Sequence, residues 1–224
     1  MASQTQRAAP TRRKRALVTR RRMLAAAYHL FCANGYVPTT MEAIAAEAGV
    51  AVQTLYFTFH TKGAILGEVL GAAIVGLDDW TNPPAEPITV ETLVGIHDWY
   101  DDFKAEPDAR KALALFVASG AEIHGRVGPL VGAMHAAGGD PDVAAVLALA
   151  EQRRAEVYRW VVDGLAQKSG GLRPGLSEDR ATDVLLVLFS AETYQALTAG
   201  RGWSASACTS FLAELLTQQL VMQP

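Results

Sequence analysis

Sequence features that mark several common protein classes are scarce or absent in this chain. Its 224 residues include two cysteines, Cys32 and Cys208, which lie far apart in helical patterns. This excludes a disulfide-rich scaffold and predicts buried, reduced thiols. The five histidines lack zinc-ligand spacing, and there is neither a glycine loop for phosphate nor a strand-turn-serine elbow. The sequence therefore predicts no metal, no cofactor and no catalytic residue, and we expect that the protein is not an enzyme.

Long apolar runs are also missing. No stretch approaches the roughly 20 residues that cross a bilayer, and the most apolar one, 184–191, is bounded by Asp183 and Glu192. The basic N-terminus lacks the apolar segment of a secretory signal. An Arg-rich transit peptide is a weaker alternative, because the basic stretch runs straight into an amphipathic helix. We expect a cytoplasmic protein that does not associate with membranes.

Acidic residues are absent before Glu42. Residues 1–62 contain nine Lys or Arg and two acids, a net charge of +7. Residues 63–224 contain eleven Lys or Arg and twenty-one acids, a net charge of −10. A basic end on an acidic body indicates contact with a polyanion. For the run TRRKR at 11–15, a merely solubilising tail is the alternative interpretation.

Helical patterns dominate what is present. Half of the residues are apolar, alanine and leucine are the most frequent of them, and apolar positions do not alternate as they would in strands. We therefore predict an all-α protein. The predicted helices cover about 18–34, 41–48, 51–57, 62–80, 88–104, 107–124, 141–168, 177–199 and 203–222, with a linker at 82–87.

The first helices follow the plan of a helix-turn-helix. Gly35 ends helix one, Thr39 or Thr40 can cap a short second helix, and Gly49 provides a tight turn before the third. This arrangement predicts three regions. They are a basic, disordered tail (1–16), a helix-turn-helix DNA-binding domain (17–77, motif about 40–59) and a C-terminal helical domain (78–224), for which the family resemblance given below implies regulatory and dimerisation roles.

The segment from Arg22 to Leu66 resembles the N-terminal domain of the tetracycline-repressor (TetR) family of transcriptional regulators. The match is dense over about 45 residues, whereas the rest of the chain resembles the family only in its helical layout and in the sequence GRGWS. Two positions depart from the family pattern: Gly63 replaces a usual glutamate, and Thr58 replaces a frequent histidine. The matching residues are Ala26, Ala27, Leu30, Phe31, Gly35, Tyr36, Thr39, Thr40, Ile44, Ala45, Ala48, Gly49, Val50, Thr54, Leu55, Tyr56, Phe59 and Lys62.

The third helix is the predicted recognition helix. Its N-terminal end carries small and hydrogen-bonding side chains suited to the major groove, where Gln53 can pair with adenine. Leu55 and Phe59 are expected in the core, and the resemblance implies phosphate contacts at Thr40, Tyr56 and Lys62. The basic run 12–15 could add backbone or minor-groove contacts. The predicted DNA-binding residues are Thr39, Thr40, Ala51, Val52, Gln53, Thr54, Tyr56, Phe57, His60 and Lys62.

In the C-terminal part, the resemblance implies a small-molecule pocket and dimerisation through the last two helices. Apolar residues on nearly every side of 181–198 independently favour an interface, although burial within one chain is the alternative. Polar groups on apolar stripes are the pocket candidates, although each is more often an ordinary core residue. The pocket candidates are His97, Tyr100, Phe116, His124, Arg154, Tyr158 and Glu192. The interface candidates are Leu188, Tyr194, Phe211, Leu215 and Leu216.

Together these features predict a homodimeric, ligand-responsive transcriptional regulator. We expect a repressor that binds a palindromic double-stranded DNA operator and is released by a small, largely apolar or aromatic effector. The alternative function is a helical small-molecule-binding protein whose DNA-binding head is inactive. The steepness of the salt dependence of duplex binding distinguishes the two.

Overall fold

The computed structural model describes residues 12–76, 80 and 90–222. These residues form twelve α-helices and one 3₁₀ turn, and none of them forms a β-strand. The predicted all-α fold, a helix-turn-helix head followed by a helical body, is confirmed. The helices are α1 (Arg12–Asn34), α2 (Met41–Ala48), α3 (Val52–Phe59), α4 (Lys62–Val75), α5 (Val90–Val94), α6 (Trp99–Ala105), α7 (Ala109–Val127), the 3₁₀ turn Gly128–Leu130, α8 (Val131–Ala137), α9 (Pro141–Ala166), α10 (Glu178–Leu188), α11 (Ala191–Arg201) and α12 (Ala205–Leu220). We call residues 12–76 the head and residues 90–222 the body.

The N-terminal boundary differs from the prediction. Helix α1 begins at Arg12, so the expectation of disorder is wrong for residues 12–16. Alanine, arginine and lysine all favour helix, and the Thr19 hydroxyl donates to the Arg15 carbonyl at 3.0 Å. Residues 1–11 lie outside the described residues.

Two predicted helices are each interrupted. The expected helix 88–104 is split into α5 and α6 around Gly95, since glycine interrupts helices readily. The expected helix 177–199 is split into α10 and α11, because Ser190 takes an extended conformation and its hydroxyl accepts the Thr193 N–H. Helix α4 ends at Val75 and not near residue 80, and the predicted linker 82–87 lies outside the described residues.

Side-chain caps set many of the helix starts. Each capping oxygen accepts a backbone N–H that has no partner inside the helix, a contribution of about 1 kcal/mol per cap. The caps are Thr40 on α2, Thr61 on α4, Asp108 on α7, Asp140 on α9, Ser177 on α10, Ser190 on α11 and Ser204 on α12.

Buried apolar side chains form two clusters. One combines the interiors of α1 to α4 with residues from α8 and the start of α9, including Met134 and Val143. The other lies among α6, α7, α9, α10 and α12. The first cluster crosses the domain boundary predicted near residue 77, so the head and the body share part of one apolar core.

Helix α7 also fastens the head to the body by hydrogen bonds. The Arg126 guanidinium donates to the carbonyls of Ala73 (2.7 Å) and Ile74 (3.1 Å). These are carbonyls of the last turn of α4, which lack partners inside the helix. The Tyr28 hydroxyl of α1 donates to the Arg126 carbonyl at 2.7 Å. The C-terminal end of α4 is therefore held directly by α7.

Candidate nucleic-acid interface

Helices α2 and α3 meet at a tight turn that only glycine accommodates well. The Thr40 hydroxyl accepts the Ala43 N–H and starts α2, and Gly49 ends it in the left-handed region with φ of 64°. A Cβ at Gly49 would lie 2.9 Å from the Arg22 Nη2 atom. Any other residue would therefore be strained in its backbone and would crowd α1.

Helix α3 presents one buried and one exposed face. Leu55 and Phe59 point into the core, as predicted. Gln53 and Thr54 are exposed, and Phe57 is 85% exposed. A short helix with amide, hydroxyl and aromatic groups on its outer face can enter the major groove and reach base edges or phosphates.

Further predicted contact residues lie at both ends of this helix. Ala51 precedes α3 as its exposed N-cap position, whereas Val52 is half-buried and packs against the head core. Tyr56 is exposed on the outer surface. His60 follows the helix with a positive φ of 64°, exposed beside the start of α4. Apart from Val52, these residues are all exposed to solvent.

Two predicted DNA-binding residues have internal roles instead. Thr39 is 2% exposed, and its hydroxyl donates to the Gly35 carbonyl at 2.7 Å. The Lys62 ammonium donates to the carbonyls of Tyr36 (2.9 Å) and Thr39 (3.0 Å), with a longer contact to Val37. Burial lowers the pKa of Lys62. The expectation that these two side chains face DNA is therefore corrected: both stabilise the turn between α1 and α2.

Part of the head's positive charge is also used within the chain. Arg20 forms a two-pronged ion pair with Glu68 of α4 and lies 4.9 Å from the Phe59 ring centroid. Arg22 donates to the carbonyls of Ala48 and Gly49, at the turn before α3. These arginines position α3 and α4 against α1. The charge count alone gave no sign of this, because sequence does not show which cations find internal acceptors.

In the body, three of the predicted pocket residues lie in a packed aromatic core. Phe116, His124 and Tyr158 are buried around the Phe189 ring, with the ring centroids of His124 and Phe189 4.6 Å apart. The Tyr158 hydroxyl donates to the Phe189 carbonyl at 2.7 Å. Burial lowers the pKa of His124 to about 4 and raises the pKa of Tyr158. In this structure the neutral imidazole and phenol groups therefore pack against the Phe189 ring, and their contact with a ligand stays a prediction.

The remaining pocket candidates lie nearer the surface. His97 and Tyr100 are half-buried. The Arg154 guanidinium donates to the Leu186 carbonyl at 2.9 Å and to Glu151. Glu192 is exposed, with its carboxylate 3.8 Å from the His135 ring. The expectation that Glu192 faces an apolar pocket is therefore wrong: the break before α11 turns it towards solvent.

A different concave surface lies between α9 and α10. It is an open groove of about 770 Å³, and none of the seven predicted pocket residues lines it. Apolar side chains, four carboxylates and one guanidinium line the groove. The guanidinium is that of Arg159, which pairs with Asp163 at 2.7 Å. The only sequence signal for it was the alternation of acids with apolar residues on two helices. The lining residues are Val90, Gln152, Ala155, Glu156, Arg159, Trp160, Asp163, Asp179, Thr182, Asp183 and Leu186.

The interface candidates divide into two groups. Tyr194 and Leu216 are buried within the chain, so their expected exposure to a second subunit is corrected. Leu188 and Leu215 are half-buried. Phe211 is 41% exposed, and its ring lies 5.2 Å from that of Trp203. The nearby helix α10 adds Val187, which is 69% exposed; its outward position was not predicted.

Within the described ranges, no group of three or more His, Cys, Asp or Glu side chains is placed to hold a metal ion. Among the helices described, none combines the length and apolar character that a bilayer span requires.

These observations define a class of protein: a helix-turn-helix domain joined by α4 to an all-helical body. Residues 23–69 match the family model of bacterial regulatory proteins of the tetR family. The resemblance predicted from the sequence is thus confirmed for residues 23–69, which match the N-terminal domain of that family. No curated protein matches the chain at a significant level.

Solved structures share the fold of nearly the whole chain. FadR from Bacillus subtilis in complex with stearoyl-CoA is 17% identical, with a TM-score of 0.61, over 87% of this chain and 96% of that one. A transcriptional regulator from Saccharomonospora viridis in complex with choline is 20% identical, with a TM-score of 0.64, over 92% of this chain and 99% of that one. NalD, the secondary repressor of an efflux pump in Pseudomonas aeruginosa, is 17% identical, with a TM-score of 0.60, over 91% of this chain and 97% of that one. At these identities the likeness establishes the fold alone.

Proposed function

We propose that this chain is a dimeric, ligand-responsive regulator that binds a palindromic DNA operator and represses transcription. The observation that carries the proposal is the outer face of α3. There Gln53, Thr54, Tyr56 and Phe57 are exposed, while Leu55 and Phe59 fix the helix to the core. Adjacent exposed aromatic side chains are typical of an interaction surface, and the match of residues 23–69 to the TetR family supports DNA as the partner.

Two copies are proposed because one short recognition helix reads only a few base pairs. A two-fold pair of heads reads two half-sites about one helical turn apart. The proposed interface is the surface of α10 and α12 around Val187, Trp203 and Phe211, which combines large apolar groups exposed to solvent. A second copy of the same surface would cover them and form a four-helix contact.

The proposed effector site is the groove between α9 and α10. Val90, Trp160 and Leu186 offer apolar surface there, and several carboxylates surround them. This supports an effector with an apolar or aromatic part, as the sequence predicted, and favours one that also carries positive charge. Stearoyl-CoA and choline are ligands of the similar structures named above.

Duplex binding tests the head directly. A duplex selected by the wild-type protein from a random library serves as the operator in gel-shift titrations. The double variant Gln53→Ala, Tyr56→Ala should bind it at least tenfold more weakly, since each base-edge or phosphate contact contributes about 1–3 kcal/mol. Unchanged affinity would place the DNA-binding surface elsewhere.

The salt dependence of the same titration separates the proposal from a small-molecule-binding protein with an inactive head. For a true duplex-binding protein, the slope of log affinity against log salt is about −0.9 per phosphate neutralised. A flat dependence would favour the inactive head.

The proposed interface has its own test. The double variant Val187→Glu, Phe211→Glu should sediment as a monomer and lose about a hundredfold in affinity for the palindrome, because two linked heads gain effective concentration. Ile96→Glu is the matched control, since Ile96 is also an exposed apolar residue of the body. A wild-type monomer, or a double variant that remains dimeric, would contradict this interface.

A further inference from the structure

The turn between α1 and α2 meets the first turn of α4 and the first turn of α9. The Lys62 ammonium, which donates to carbonyls of this turn, lies 4.2 Å from the Tyr36 ring centroid. The Tyr36 hydroxyl donates in turn to Oδ2 of Asp140 at 3.3 Å. The other oxygen of Asp140 accepts the Asp142 N–H at 3.0 Å and so starts α9. One carboxylate therefore both caps a body helix and binds the head.

Beside this contact, α9 approaches the backbone of α4 closely. A Cβ at Gly63 would lie 3.1 Å from Cβ of Asp142, and a Cβ at Gly67 would lie 3.2 Å from both γ-methyl groups of Val146. Gly63 and Gly67 are four residues apart and so share one face of α4. Glycine at these positions lets the two helices approach more closely than larger residues would allow. This explains Gly63, one of the two positions at which the sequence departs from the family pattern.

Helix α9 extends from this junction to the groove. It contains 26 residues, a length of about 39 Å. Its first turns contact the head, and Gln152, Glu156 and Trp160 in its later turns line the groove. The C-terminal end of α4 is held by Arg126 of α7, as described above. The N-terminal end of α4, which follows α3 after only two residues, is thus held by α9.

We propose that Tyr36, Asp140, Gly63 and Gly67 are positioning residues that set the angle of the recognition helix relative to the body. In a dimer this angle fixes the distance between the two recognition helices and therefore the operator spacing that both can reach. The inference rests on the proposed function and adds a direct route from α9 to the head, beside the covalent link through α4.

Operator spacing is the readout that separates positioning from simple stabilisation. The wild-type protein is titrated against its selected palindrome, against duplexes with one or two base pairs added at the centre, and against a single half-site. Tyr36→Phe, Asp140→Ser and Gly67→Ala should each weaken binding to the selected palindrome about three- to tenfold. The preference for the selected spacing should fall by a similar factor, while half-site binding stays within twofold. The double variant Tyr36→Phe, Asp140→Ser should equal the single variants, because both remove the same hydrogen bond.

Matched controls make the test specific. Asp108→Ser changes the same residue type at the same capping position of α7, away from the head. Gly132→Ala adds a methyl group at a helical glycine with no neighbour within 4 Å. Both controls should keep the wild-type spacing profile.

Three outcomes would overturn the inference. Junction variants that keep the wild-type spacing profile would show that α9 does not set the angle. Variants that lose half-site binding in the same proportion as palindrome binding would indicate a local effect inside the head. A wild-type protein that binds no duplex at all would overturn the proposed function itself, and this inference with it.

Discussion

Two pairs of aromatic side chains, one in the head and one in the body, lie in opposite environments. In the head, Tyr56 and Phe57 lie on the outer surface of α3. In the body, Phe116 and Tyr158 lie inside a cluster of rings that touch edge to face at 5.5 Å. The same residue types are therefore accessible at the first site, where we propose that they contact DNA, and stabilise the core at the second. Substitutions in the two regions should separate binding from stability.

The largest expected stability effect follows from removing a core ring. Phe116→Ala should reduce the free energy of unfolding by about 3–5 kcal/mol, because it removes edge-to-face contacts and leaves a cavity. Phe57→Ala removes the same side chain from the surface and should change stability by less than about 0.5 kcal/mol. Urea unfolding of both variants measures this contrast. Similar losses would mean that Phe57 packs against the protein.

The next largest effect depends on pH. His124 has a pKa of about 4 in the folded protein, below its ordinary value of 6.5, because burial disfavours the charged ring. The unfolded chain then binds more protons between these values, so stability is complete above pH 6.5 and falls as the pH drops towards 4. The loss should be on the order of 3 kcal/mol.

The contribution of His124 is measured as the difference between wild type and His124→Gln in unfolding titrations from pH 7 to pH 4. The variant should lose the histidine-dependent part of the decline, whereas carboxylates contribute equally to both proteins. The exposed His60→Gln is the control for loss of an imidazole from the head surface. Identical pH profiles for wild type and His124→Gln would contradict the assignment.

Smaller effects are expected at two matched helix caps. Thr40 and Thr61 each accept a backbone N–H at 3.1 Å, on α2 and α4 respectively. Thr40→Ala and Thr61→Ala should each lower stability by about 1 kcal/mol. Only Thr40 is also a predicted phosphate contact, so Thr40→Ala should weaken duplex binding more than Thr61→Ala does. Equal affinities for the two variants would make Thr40 a cap alone.

The smallest stability effect should accompany a clear loss of binding. Gln53 is exposed on α3, so Gln53→Ala should leave the unfolding midpoint nearly unchanged. It should nevertheless weaken duplex binding about tenfold and relax selection at one base pair. Gln152→Ala on α9 is the matched control, with no expected effect on DNA. If Gln53→Ala lowers the unfolding midpoint, Gln53 contributes to folding stability, and its loss of duplex binding cannot be assigned to a DNA contact alone.

Prediction from sequence worked best where spacing along the chain reports local geometry. Leu55 and Phe59 lie four residues apart and share the buried face of α3, and Gly49 takes the left-handed conformation that its position required. It failed where a side chain's partner comes from elsewhere in the fold. The sequence shows that Lys62 carries a positive charge. Only the fold shows that its ammonium donates hydrogen bonds to the carbonyls of Tyr36 and Thr39.

The body shows the same limit in its helix breaks and its cavities. The serine cap at residue 190 and the packing of Phe189 divide what looked like one apolar helix. The pocket candidates could not be sorted from the sequence, because a polar group on an apolar stripe looks the same whether it faces a ligand, a neighbouring ring or solvent. His124 faces the Phe189 ring, and Glu192 faces solvent.

The sequence by itself determined the helical class, the helix-turn-helix and its family resemblance, because these depend on periodicity, caps and glycine turns within a few residues. The tertiary structure alone decided which basic side chains form internal hydrogen bonds, which aromatic rings pack in the core of the body and where α9 contacts the head. Those outcomes depend on contacts between residues as distant as Tyr36 and Asp140, and no local pattern encodes which distant side chain completes a hydrogen bond.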